Sequence, residues 1–128
     1  MAEFTNYLEN KILDHVLKNV SYTSPTTVYV GLFTSAPTDT TSGTEVSGGS
    51  YARQVLSVTT ASNGTSTSSA DISFPQATAN WGTISHTAIL DALTSGNMLM
   101  YTPLTTSKTI ETGDILRISS GNLTVTLD

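Results

Sequence analysis

The chain has 128 residues, a formal net charge of −5 and a pI near 4.7, and only 12% of its residues are charged against 38% hydrophobic. Its length suits a single domain over 1–128, and its five basic residues form no cluster in sequence, which argues against a surface that neutralises nucleic-acid phosphates. The absence of cysteine excludes disulfides and thiolate metal sites, while Ser and Thr, at 41 of 128 positions, wet the surface with hydroxyls in place of ions.

Val, Ile, Thr and Tyr recur at short intervals, which marks a folded chain rather than a disordered one. The opening MAEFTNYLENK lacks the basic and apolar regions of a signal peptide. The longest apolar-rich run, VYVGLF, is far too short to span a bilayer, so no membrane partner is expected.

The spacing predicts one helix, over about residues 6–19. Leu8, Ile12, Leu13, Val16, Leu17 and Val20 recur three and four apart, with Glu9, Lys11, Asp14 and Lys18 on the other side. Thr5 or Asn6 can cap it, and Asn6 with Glu9 has capping-box spacing. So short a helix is marginal alone, and its stripe must dock either on its own domain or on a neighbouring subunit.

After Pro25 the period changes to two. TTVYVGLF (26–33) is apolar on both faces, as a central strand is. A loop of Ser, Thr, Gly and Pro fills 34–50 before a second strand, YARQVLSVTT (51–60), and a second polar loop, ASNGTSTSS. A short strand follows at DISF (71–74). GTISHTAILDA (82–92) and NMLMYTPL (97–104) then form a hairpin around TSGN. Turns at ETGD and SSGN separate two last strands, the final one alternating Leu123, Val125 and Leu127 with Thr124 and Thr126. Seven or eight strands over 26–128 at such spacing predict a mainly β, single-domain sandwich or jelly roll with one N-terminal helix.

Chemistry is sparse. His15 and His86 have no local partners that would make a metal site. No serine lies in a nucleophile-elbow pattern, and Glu111, Asp114 and Asp91 occupy turns and strand ends, ordinary places for acids. No catalytic residue, metal ligand or cofactor is expected. Trp81, the only tryptophan, either closes one end of the core or serves as an exposed sugar platform or interface anchor. The loop 34–50 delivers Tyr51 and Arg53, which on a strand would share a face. Both residue types are enriched at interface centres, so the pair is a candidate contact to an acidic partner. The alternative is an internal ion pair of Arg53 with Glu45.

TNYLENKILDHVL, VYVGLFTSAPTD, GTEVSGGSYARQ, FPQATANWGTISHTAILDA and TSGNMLMYTPLTTSKTIETGD, in that order, resemble a family of small virion proteins of tailed bacteriophages, whose members are usually labelled tail fibre proteins. The resemblance covers nearly the whole chain and implies a virion structural protein with no catalytic motif, assembled in the host cytoplasm. A fibre must be long, and this chain has no heptads or other repeat. The expectation is therefore a capsid decoration, or cement, protein that self-associates and binds the major capsid protein. A tail fibre or tail-tip component contacting tail proteins is the alternative, and a carbohydrate-binding module is a third.

Overall fold

A computed structural model describes residues 3–127. They form β1 (Glu3–Phe4), α1 (Asn6–Leu17), β2 (Val28–Ser35), β3 (Thr44–Glu45), β4 (Gln54–Leu56), β5 (Thr65–Thr67), β6 (Ile72–Ser73), β7 (Gly82–Leu90), β8 (Met98–Ile110), β9 (Arg117–Ile118) and β10 (Thr124–Thr126). The chain is mainly β with one helix, as its periodicity predicts, and every strand pair is antiparallel.

The framework is a six-stranded sheet ordered β1-β8-β7-β2-β3, with β4 also paired to β2. The predicted hairpin is its spine: β7 and β8 pair from Gly82 opposite Ile110 to Leu90 opposite Met98. β2 lies against β7, with Tyr29 opposite Leu90 and Phe33 opposite His86. Its two apolar faces follow from that central place. Val30 and Leu32 are fully buried in the main core, and Phe33 points to a smaller cluster with Ala88, Leu90 and Tyr101 on the other face.

Two ribbons, β5 with β10 and β6 with β9, bring further side chains to the main core. Ile72, Phe74, Leu116 and Leu123 join Val30, Leu32, Ile84 and Leu99 there. β5 falls in the second polar stretch, which reads as loop because TST has no apolar face. Pairing with β10 makes it a strand, with Thr67 opposite Thr124 and Thr65 opposite Thr126. The second predicted strand is shorter than expected, three residues in place of ten. Both differences arise because short hydroxylated segments take their conformation from the edge they meet rather than from their own pattern.

Buried hydroxyls act as backbone partners. Ser68 is 2% exposed, and its Oγ accepts from the N–H of Gly121 at 3.0 Å and of Leu123 at 3.3 Å. Thr5 is the helix N-cap, its Oγ1 accepting from Leu8 N–H and donating to the Met98 carbonyl at 2.7 Å. Asn6, offered by its spacing with Glu9 as an alternative cap, is the first helical residue instead. Pairing of β1 with β8, and Thr5 N–H to Leu99 O, keep the chain extended through Thr5. At the other end Asn19 adopts a left-handed φ of 57° and Val20 N–H turns back to the Asp14 carbonyl, which stops the helix.

Replacing Ser68 by Ala takes the acceptor from Leu123 N–H, while Gly121 N–H keeps the Ser68 carbonyl at 2.8 Å, and should cost about 1–2 kcal/mol in urea unfolding. The same change at exposed Ser107 should stay within about 0.5 kcal/mol. Equal effects at both sites would mean that the Ser68 hydroxyl is not a structural partner.

Candidate functional site

The connection from β3 to β4 leaves the sheet and returns, and three consecutive residues in it, Gly48, Gly49 and Ser50, have positive φ. Between the stretches of β2 that pair with β4 (Val28–Val30) and with β3 (from Phe33), the edge of β2 has a gap at Gly31 and Leu32. Tyr51 fills it. Its hydroxyl accepts from Leu32 N–H at 2.9 Å, while Val46 N–H donates to Leu32 O at 3.0 Å, so both backbone groups of Leu32 are satisfied.

The same hydroxyl donates to Glu45 Oε2 at 2.6 Å. Arg53 then grips both carboxylate oxygens, Nε to Oε2 at 2.9 Å and Nη2 to Oε1 at 2.8 Å, a bidentate pair with the Arg53 side chain 8% exposed. Its remaining arm, Nη1, donates to the carbonyls of Ala92 (2.7 Å) and Ser95 (2.9 Å) in the β7–β8 turn. One guanidinium thus joins three separate segments. Gly31 makes room: a Cβ there would sit 3.0 Å from Glu45 Oε2 and 3.2 Å from the Tyr51 hydroxyl.

Burial pushes the Glu45 carboxyl up, but the hydrogen bonds from Arg53 and Tyr51 outweigh it and hold the group below its ordinary value. Burial, reinforced by the hydrogen bond it donates to Glu45, pushes the Tyr51 phenol up, so it stays a donor at any physiological pH.

Trp81 is 6% exposed. Its indole N–H donates to the Gly49 carbonyl at 2.9 Å, and its ring stands edge-on to Tyr51 with centroids 5.5 Å apart. Tyr51 in turn stacks on Phe74. Gly49, at φ +59°, is required here, since a Cβ would meet Trp81 Nε1 at 2.8 Å. The structure therefore brings Tyr51, Arg53 and Trp81 together in one brace. Tyr51 and Arg53 precede β4 rather than lying on it, and shared contact with Glu45, not strand alternation, aligns them. The outer side of this brace opens on a shallow groove of about 300 Å³ bordered by Ala52, Leu93 and Thr94.

The sequence reading did not single out Gly31, although a lone glycine within VYVGLF is a signal of close approach to a strand. It also gave no role to Asp39, which accepts from the Tyr101 hydroxyl at 2.8 Å and, through its carbonyl, from Asn6 N–H. Among the described residues, no three of His, Asp and Glu group closely enough to hold a metal ion, and no helix is long and apolar enough to cross a membrane.

Arg53→Ala removes the fork from a partly buried carboxylate and should destabilise by about 2–4 kcal/mol. Arg53→Lys should recover only part of this, because an ammonium cannot grip both oxygens and the turn carbonyls together. Since the folded-state pKa of Glu45 lies below its ordinary 4.5, its contribution is complete above that value and is lost as pH falls through the folded pKa. The difference in urea midpoint between wild type and Glu45→Gln should therefore be largest near neutrality and shrink in acid below about pH 4. A pH-independent difference would contradict the assignment.

No curated protein matches the chain at a significant level. A family match covers almost all of it, residues 3–126, and the description of that family is "Podophage GP4 fiber I protein gp80". A small β-rich chain with an internally braced loop, matched from its first described strand to its last, belongs to this family of phage fibre proteins and is a virion structural protein.

Proposed function

We propose that the chain is a non-enzymatic structural subunit of a tail-associated phage fibre, working by adhesion alone. The observation that carries this reading is the fibre-family match over residues 3–126. It weighs towards the tail-associated role and away from the capsid decoration that the lack of sequence repeats favours, so tail proteins, in place of the major capsid protein, become the expected neighbours.

A compact β unit can serve a fibre without being elongated if several copies are joined, or if it forms one rigid knob or joint of a longer assembly. The fold suits this role mechanically. The bidentate Arg53–Glu45 pair and the Tyr51 plug tie β2, the β3–β4 connection and the β7–β8 turn together, so a load on one segment passes to the others. Repetition in a symmetric particle then multiplies modest contacts into a durable attachment.

The test is the amount and location of the chain in purified virions. A fibre subunit should be present at a small multiple of the tail symmetry, far below the major capsid protein, and labelled antibody should mark the tail. Particles lacking the chain should resist heat and osmotic shock like wild type yet adsorb poorly to host cells. Copy numbers comparable to the capsid protein, with fragile heads, would favour decoration.

A further inference from the structure

β8 leaves its ladder with β7 part-way along. Ile84 stands opposite Lys108 and His86 opposite Pro103, so Ser85 alone faces the whole stretch from Leu104 to Ser107. A stretch so much longer than its partner cannot keep register, and it bulges from the ladder. On the outer edge of β8, β1 pairs only with Met100 and Tyr101. From Leu104 to Ser107, therefore, no residue stands opposite in either neighbouring strand. β9 is paired on one side only. β6 covers that edge, with Ile72 opposite Ile118 and Ser73 opposite Arg117, and no strand among the described residues covers the other.

The bulge and β9 border a groove of about 230 Å³. Buried Leu116 and the half-buried Leu104 and Ile118 give it an apolar lining, and the exposed Lys108 and Arg117 give it positive charge. These are two of the chain's five basic residues, and no acidic residue lines the groove. Elsewhere Arg53 is held by Glu45, and Lys11 lies over the Tyr7 ring. The side chains of Lys108 and Arg117, by contrast, make no ion pair or hydrogen bond among the described residues. A chain of net charge −5 thus keeps a small cationic, apolar cleft beside strand edges that lack a partner.

We propose that this groove takes an extended peptide segment of another virion protein, one that carries a carboxylate two residues from an aliphatic side chain. Charge complementarity selects the acid: Arg117 offers a fork that matches a carboxylate and Lys108 a second cation, neither of them already engaged. The unpaired edges select the extended backbone, since strand addition supplies main-chain hydrogen bonds and leaves side chains to give specificity. Alternate residues of an extended segment share a face, so one face carries the aliphatic group to Leu104, Leu116 and Ile118 and the acid to Lys108 or Arg117. Other ligand classes fit less well. None of the lining residues is aromatic, so a sugar ring or a base finds no platform. The volume also falls below the roughly 300–1,000 Å³ of small-molecule pockets. The proposal rests on the structural-subunit reading only in making the partner a virion protein. Its test uses the purified chain and no virion, so the two can fail separately.

A random library of displayed 12-residue peptides, selected on the immobilised full chain, should enrich sequences with Asp or Glu two positions from Leu, Ile or Val. In fluorescence anisotropy, Lys108→Glu combined with Arg117→Glu should weaken the best selected peptide at least about 10-fold. Lys108→Ala with Arg117→Ala should weaken it in the same direction, which guards against a charge-reversed variant that fails to fold. Lys11→Glu with Lys18→Glu, the same change in net charge elsewhere, should leave the affinity within about two-fold. The chain has no cysteine, so alkylation of Thr106→Cys reports on the groove directly. The peptide should slow it, and should not slow alkylation of Thr94→Cys in the β7–β8 turn. Selected peptides without acidic enrichment, or none tighter than about 1 mM, overturn the proposal. So does an affinity that both lysine and arginine reversals leave unchanged, or one that the Lys11 and Lys18 control lowers equally. Heparin binding that needs Lys108 and Arg117, with no peptide recovered, would also overturn it and assign the cleft to an anionic polysaccharide.

Discussion

A single phenol oxygen sits where the main sheet would otherwise be incomplete. β2 must be central to bury Val30, Leu32 and Phe33 on its two faces, yet neither β3 nor β4 is long enough to cover its whole free edge. The Tyr51 hydroxyl closes the gap by accepting from Leu32 N–H, and it can hold that position only because Glu45 accepts its own proton. Glu45 in turn is tolerable at partial burial because Arg53 forks onto both its oxygens. Removing any member leaves another with an unmet donor or charge, and so the group behaves as one unit.

The consequence reaches beyond the sheet. With two donors spent on Glu45, Arg53 gives its third contact group to the carbonyls of the β7–β8 turn, and Tyr51 passes its ring to Trp81 and Phe74 in the core. Loop, turn and core are therefore locked by the same few side chains. In a chain so poor in charge this is an economical way to stiffen a surface. Ser68 and Thr5 repeat the device on a smaller scale, each placing a buried hydroxyl where backbone groups lack a strand partner.

The helix shows the opposite arrangement. It is capped and fastened at one end and left uncovered at the other, so its apolar stripe contributes little to the core of its own chain. The braced sheet and the helix fastened only at its first turn thus differ in how far the chain's own packing holds them.

Much of this was legible in the residues themselves. Period-two runs identify the β class, three- and four-residue spacing finds the helix, and TSGN between two apolar runs locates the β7–β8 hairpin, because each of these depends on near neighbours in the chain. The order of quoted segments carries the phage-fibre resemblance for the same reason. What sequence could not decide is which way Tyr51, Arg53 and Trp81 face, since both an outward contact and an inward ion pair satisfy the local pattern. That choice rests on Glu45 arriving over Gly31 and on the turn at 92–95 arriving beside Arg53, meetings between segments up to 42 positions apart. Likewise the amphipathic pattern of α1 requires a cover without saying whose. Only the tertiary structure shows that the chain's own core supplies one for Leu8 and leaves Val16 and Leu17 in water, because the cap at Thr5 fastens the first turn to β8 and fixes where the helix starts.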